Sequence, residues 1–447
     1  MAVTNKVQEL LEKAEQPGKE AMRLHPFYHG KMETVPRCCI RDFDDFAIWY
    51  TPGVAQPCLD IRDHPDRVFD HTNKANLVAV VSDGTRVLGL GDIGPEAALP
   101  VMEGKALLYK YLGGVDAFPI CIDTKDPDKI IETVLLLQPS FGGINLEDIS
   151  HPKCFRILDT LRSTARIPIW HDDQQGTATV VLAGLINALK LVNKKMSEAR
   201  VAMAGAGASG VRTAWLIIAA GIRPENIIIC DSKGTLHRER TDLQLKYPEK
   251  WELAKVTNVD NLKGDVPDAM EGADVLIALS QPGPDVIKKE WIAKMAPGPI
   301  VFVCANPVPE IFPWEAKEAG ARIVATGRSD FPNQINNSLG FPGIFRGALD
   351  VRATTITDEM CIAAASELAR CAEDKGIHEE HIIPAMDEWG VFPREAAAVG
   401  LKAIEQGLAR IKLTEQELLE RAFSRIKRAR EETGMLMREG FIDMPQD

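Results

Sequence analysis

The apolar run Arg200-Val-Ala-Met-Ala204 ends in Gly205-Ala-Gly207-Ala208-Ser209-Gly210, and a helical stretch, Val211 to Ala220, follows at once. A strand, a glycine turn and a helix in that order leave few folds open. The turn must be tight, and the first amide groups of the helix must face out of it. Those N–H groups make a place for a pyrophosphate. The next strand-like run, Asn226 to Cys230, is followed by Asp231, 21 residues after Gly210. An acidic side chain at that distance is placed to accept hydrogen bonds from an adenosine ribose. Gly205, Gly207, Ala208, Ser209, Gly210 and Asp231 are therefore the expected cofactor-binding residues. Asp231 favours NAD, whereas the adjacent Ser232 and Lys233 could hold the 2′-phosphate of NADP. The same pattern recurs at Gly89-Leu-Gly91-Asp-Ile-Gly94, but Pro95 and Pro100 follow it. That predicts no clean helix start there, and the segment reads as a substrate-domain loop.

Strand-like and helix-like runs alternate on both sides of this point. Leu77–Val81, Phe118–Ile122, Gly143–Leu146 and Ile167–Trp170 read as strands, with helices over 102–112, 128–137 and 152–161. A second strand series follows at 200–204, 226–230, 274–278, 299–303 and 321–325. Such alternation predicts parallel sheets covered by helices. The expected fold class is α/β: an N-terminal α/β substrate domain over 1–165, a doubly wound Rossmann-type domain over 166–390, and a helical tail over 391–447. Helical termini complete it, beginning with an amphipathic helix at 7–14. A chain of 447 residues is long enough for two or three cores. The net charge of −12 and the lack of a basic run argue against nucleic acid as a partner. No apolar stretch reaches the roughly 18 residues of a membrane span. Nine cysteines without a Cys-x-x-Cys pair predict reduced thiols and a cytoplasmic location.

Two acidic pairs stand out. Phe141-Gly-Gly-Ile-Asn-Leu-Glu147-Asp148 and Ile167-Pro-Ile-Trp-His-Asp172-Asp173 each place carboxylates at the end of a short apolar run. A single pair of this kind is usually a helix cap or a solvated loop. Four carboxylates at two strand ends of one sheet can instead converge, and converging carboxylates need a cation. Oxygen donors of this sort suit Mg²⁺ or Mn²⁺. A dinucleotide-linked oxidation of a hydroxyl also needs a base. Lys105 stands in an apolar helix start, where desolvation is expected to lower its pKa. Tyr50, after Ile48-Trp49 and before Thr51-Pro52-Gly53, could donate a proton, and Arg86 could clamp a carboxylate. Each has a plainer alternative as a solvated lysine, a buried tyrosine and a surface arginine.

Taken together, the motifs resemble those of the malic enzymes. They are Tyr50-Thr-Pro-Gly, Ser82-Asp-Gly-Thr-Arg86-Val-Leu-Gly-Leu-Gly-Asp92, Gly104-Lys105, Asn145-Leu-Glu147-Asp148, His171-Asp-Asp-Gln-Gln-Gly-Thr-Ala178, the 205–210 loop, Asn306-Pro307 and Asn336-Asn337-Ser-Leu-Gly-Phe-Pro-Gly343. The length is similar to that of the compact, prokaryotic-type form. The resemblance implies oxidative decarboxylation of (S)-malate to pyruvate and CO2 with NAD or NADP, dependent on Mg²⁺ or Mn²⁺. It also implies decarboxylation of oxaloacetate and a homodimer or tetramer. Glu147, Asp148 and Asp173 match the metal ligands, with Asp172 beside them. Lys105 matches the base, Tyr50 the acid, and Arg86 the residue that holds a malate carboxylate. Asn306 and Asn337 match the asparagines near substrate and nicotinamide. His171 and Gln174 depart from the commonest wording of the motif. A two-domain amino-acid dehydrogenase would not need the acidic cluster, and a malolactic enzyme would release lactate.

Overall fold

The structure, a computed structural model, describes residues 16–445. The helix expected at 7–14 lies outside the described residues. The first sheet is parallel, in the order β2-β1-β3-β4: Leu77–Ser82 (β1), Asp116–Cys121 (β2), Gly143–Leu146 (β3) and Ile169–His171 (β4). Pro95–Gly113 (α1), Pro127–Leu137 (α2) and Lys153–Thr164 (α3) connect the strands in turn. Short runs of Val, Ile and Leu suit strands covered on both faces, and β3 and β4 are wholly buried. Helix α1 starts at Pro95, contrary to the expectation that the two prolines bar a helix start. At the first helical position proline has no N–H to waste and its φ is already helical. Pro100, one turn in, forfeits only the bond to Glu96.

The chain leaves β4 through a single wide, π-helical turn, Asp172–Gly176, and enters Thr177–Leu191 (α4), which is buried along most of its length. The second sheet has six strands in the order β10-β9-β8-β5-β6-β7. They are Val201–Ala204 (β5), Ile227–Asp231 (β6), Gly234–Thr235 (β7), Val275–Ala278 (β8), Ile300–Val303 (β9) and Ile323–Thr326 (β10). All pairs are parallel except β6–β7. Strand order reverses between β5 and β8, and the glycine loop leaves β5 at that switch point, ahead of Ala208–Ala219 (α5).

Four helices follow: Phe341–Asp350 (α6), Asp358–Glu373 (α7), Val391–Glu405 (α8) and Glu415–Arg438 (α9). Helix α6 returns to the first sheet. A Cβ on Gly143 would lie 2.7 Å from Phe345, and one on Gly142 would lie 2.8 Å from Leu349. Helix α9 crosses the end of α1, where a Cβ on Gly114 would meet the Arg425 backbone at 2.8 Å. Packing therefore runs across positions 165/166 and 390/391. Strand β4 belongs to the first sheet, and α6 and α9 close over the first domain.

Candidate active site

The ends of β3 and β4 lie side by side, since Leu146 pairs with His171. The residues just beyond them are Glu147, Asp148, Asp172 and Asp173, so the two acidic pairs converge as the strand pattern predicts. One ligand oxygen from each of Glu147, Asp148 and Asp173 can be chosen so that all lie within 4.8 Å of one another. Asp148 adopts φ +54°, a conformation that turns its side chain into the group, and its backbone N–H donates to Asp173 Oδ2 at 2.9 Å. Asp148 Oδ2 is buried with no hydrogen-bond partner among the described residues. Burial, and then the Asp173 charge, push the Asp148 carboxyl up to about 8. Burial likewise raises Glu147 and Asp173. An oxygen-only set with an orphaned buried carboxylate oxygen fits a hard divalent cation.

Lys105 projects from α1 between Asp172 Oδ2, at 2.6 Å, and Glu147 Oε1, at 3.1 Å, with its Nζ 4.3 Å from the centre of the Phe341 ring. Desolvation was expected to lower its pKa, and the structure reverses that expectation. Burial does oppose its charge, but Asp172, Glu147 and Asp173 outweigh burial and hold the ammonium above the ordinary lysine value. Asp172 is fully buried. It also accepts from Trp170 Nε1 at 3.2 Å, and Gly176 makes room for it: a Cβ there would lie 2.0 Å from Asp172 Oδ1. Sequence reasoning passed over Asn145, although a polar side chain inside a buried strand is a signal. Asn145 Nδ2 donates to Glu147 Oε2 at 2.7 Å, and its Oδ1 accepts from Tyr109 Oη at 3.0 Å. His171 is buried, neither ring nitrogen has a hydrogen-bond partner among the described residues although Nδ1 lies 3.7 Å from Asp173 Oδ2, and burial pushes its pKa down to about 3. A neutral ring adds no charge to the cluster.

The glycine loop faces the same cleft, which has a volume of about 1700 Å³. Each glycine has its own reason. Gly205 has φ +110°, and a Cβ there would lie 2.3 Å from the Leu279 carbonyl. A Cβ on Gly210 would lie 2.0 Å from the Gly205 carbonyl, so the helix can approach only without one. Gly207 meets nothing closer than 4.0 Å and leaves open the space a pyrophosphate takes. The loop fits a dinucleotide. Asp231, at the end of β6, is not free. Arg240 grips it at 3.1 and 3.3 Å, Lys250 Nζ lies at 2.9 Å, and Lys233 N donates at 2.9 Å. Arg240 and Lys250 carry no local motif, and the sequence did not single them out.

Arg86, Lys105, Glu147, Asp148, Asp173, Gly205, Gly207, Ala208, Ser209, Asp231, Asn306 and Asn337 line this one cleft. Asp172 stands behind Lys105, and Gly210 packs under the loop. Tyr50 is the exception. It follows the short helix Asp45–Trp49, is 71% exposed and does not line the cleft. Its neighbours Phe43, Phe46, Ile48, Trp49, Val54 and Leu59 are exposed too. Within one chain the expected acid and base do not meet.

A dinucleotide loop at a switch point and an oxygen-donor cluster opening on one cleft define an NAD(P)-dependent oxidoreductase. The sequence matches two family models, "Malic enzyme, N-terminal domain" over residues 29–162 and "Malic enzyme, NAD binding domain" over residues 174–403. The chain belongs to the malic enzyme family. It is 50% identical over 403 residues to the bifunctional malic/malolactic enzyme of Bacillus subtilis, covering 90% of this chain and 97% of that one. It is 52% identical to the NAD-dependent malic enzyme of Geobacillus stearothermophilus, covering 85% of this chain and 78% of that one. The crystal structure of Entamoeba histolytica malic enzyme is similar over 98% of this chain and 92% of that one, with a TM-score of 0.96 and 52% identity.

Proposed function

We propose that this chain oxidises (S)-malate and decarboxylates it to pyruvate and CO2, using NAD or NADP and Mg²⁺ or Mn²⁺, and that it also decarboxylates oxaloacetate. The observation that carries this reading is Lys105, clamped by Asp172 and Glu147 at the edge of a three-carboxylate donor set and in one cleft with the glycine loop. Glu147, Asp148 and Asp173 would hold the cation. When bound, the cation supplies a Lewis acid for the substrate oxygens, and the dinucleotide supplies the hydride acceptor. Lys105 Nζ, having first released its resting proton to solvent, takes the 2-hydroxyl proton as the hydride leaves C2, and Asp172 stabilises the ammonium formed again. Arg86 would hold a substrate carboxylate, and Asn306 and Asn337 would hold substrate and nicotinamide in register. Loss of CO2 leaves the C3–C4 electron pair in an enolate, and a phenolic proton delivered to C3 gives pyruvate. The deciding experiment is the change in absorbance at 340 nm with malate and Mn²⁺, run with each cofactor, and with pyruvate and lactate both measured. Pyruvate formation with net reduction of the cofactor is expected. Lactate without net reduction would make the chain malolactic, an outcome worth checking given the B. subtilis relative.

The surroundings of Asp231 support use of NADP as well as NAD. Arg240 and Lys250 pair with Asp231, and Arg240 and Lys233 pair with Asp242, so three cations face two carboxylates and a 2′-phosphate meets net positive charge there. Lys250→Gln is expected to raise KM for NADP roughly tenfold, about 1.4 kcal/mol, while KM for NAD stays within about twofold. Equal changes with both cofactors would count against this assignment.

We also read the active form as a homodimer, or a tetramer built as a dimer of dimers, in which each site receives Tyr50 from the other subunit. The other four tyrosines cannot serve. Tyr109 is buried and committed to Asn145, and Tyr28 donates to the Asp443 carbonyl. Tyr111 lies under Arg430, and Tyr247 lies beside Lys250 at the ribose end. A tyrosine on an exposed apolar arm and a cleft with no phenol beside Lys105 among the described residues are both satisfied by a second copy. Tyr50→Phe and Lys105→Ala should each be inactive alone. Mixed, dissociated and reassembled one to one, they should recover about a quarter of parental activity: half the dimers are hybrids, and each hybrid has one intact site. No recovery from variants that form dimers would show that acid and base come from one chain.

A further inference from the structure

A second cavity, of about 660 Å³, shares no lining residue with the catalytic cleft. It lies where the 37–49 arm meets the ends of α6 and α9, and four arginines line it: Arg37, Arg352, Arg421 and Arg425. Their charges are poorly matched. Asp350, the buried carboxylate, is taken bidentately by Arg346 at 2.9 and 3.0 Å, which leaves Arg425 Nε no closer to it than 3.6 Å. Asp70 pairs with Arg352. Arg37 donates to the Asn73 side-chain oxygen at 3.0 Å, Arg425 to that of Asn76 at 2.8 Å, and Arg421 to the Asp350 carbonyl at 3.0 Å. These acceptors are all neutral. Among the described residues, five guanidiniums thus share two carboxylates, in a protein whose net charge is −12. Burial, and then the Arg346 charge, pull Arg425 down to about 10, as an undercompensated cation should respond. A guanidinium carries five donors in a fork that matches carboxylate and phosphate, and three of these arginines spend one each.

We propose that this cavity binds a small anion of at least two negative charges, a phosphate or a dicarboxylate, which bridges Arg37 on the arm to Arg421 and Arg425 on α9. The bound anion supplies the missing negative charge and ties down the segment that ends next to Tyr50. The link to Tyr50 rests on the proposed role of that residue, but the binding does not. The test is thermal melting with saturating NADP, so that the dinucleotide loop is filled, on titration with inorganic phosphate and separately with succinate. Sodium chloride at matched ionic strength is the reference. One or both anions should raise Tm beyond the chloride reference in the parent, and the stronger one identifies the ligand class. In Arg425→Gln the half-saturating concentration should rise at least tenfold. Arg37→Gln, at an exposed position that the core does not need, should weaken binding in the same direction even if Arg425→Gln folds poorly. No excess shift in the parent, or a shift unchanged in Arg37→Gln, would overturn the proposal; an unchanged shift with succinate would mean binding in the malate cleft instead.

Discussion

Lys105→Ala is expected to lower kcat by roughly 10²–10⁴-fold, the contribution of a well-placed general base, while KM for malate changes only a few-fold. The substitution should also lower Tm of the chelator-treated protein, because Asp172 and Glu147 would be left buried without their cation. Lys105→Arg separates the two roles. A guanidinium can restore part of the charge balance, and hence part of the lost Tm, but it cannot accept a proton near neutral pH. Steady-state kinetics and melting of both variants decide the matter. A change confined to KM, or recovery of kcat by arginine, would remove Lys105 from the proton step.

Asp148→Asn should have a comparably large effect, with opposite signs in two measurements. Turnover with saturating Mg²⁺ or Mn²⁺ is expected to fall by about a thousandfold or more, the several kcal/mol that a Lewis acid contributes. The chelator-treated variant should melt above chelator-treated parent. Asn has the shape of Asp, tolerates φ +54°, and spares the metal-free fold the cost of a buried acid that must either take up a proton or repel its neighbours. Added Mn²⁺ should stabilise the parent more than the variant. A variant that loses activity and also melts lower without metal would point to a structural role for Asp148.

Much of the site was legible because its signals are local. Strand-end carboxylates, a glycine turn between strand and helix, and Asp231 one strand later each follow from a few adjacent residues. The misreadings lie where distant residues decide. Lys105 looked like a desolvated lysine because its partners lie 42 and 67 positions away, at Glu147 and Asp172. Asp231 looked free for a ribose because Arg240 and Lys250 reach it from a following loop and helix. Alternating patterns gave the elements of both sheets but could not assign α6 and α9 to the first domain, since an amphipathic face does not say which sheet it covers. Tyr50 carries a local motif, yet nothing near it in the chain tells whether the cleft it serves is its own.

Helix α4 has one further consequence. It begins one residue after the turn that presents Asp173, and along its length Gly184 sits 3.1–3.5 Å (as a Cβ would) from Ile335, Phe302 and Ile382. It is thus a single stiff rod keyed at one end to the carboxylates and at its middle to the nucleotide sheet. An alanine inserted within it would swing one end against the other by about 100° and advance it by about 1.5 Å, throwing two intact half-sites out of phase without altering a single reacting group.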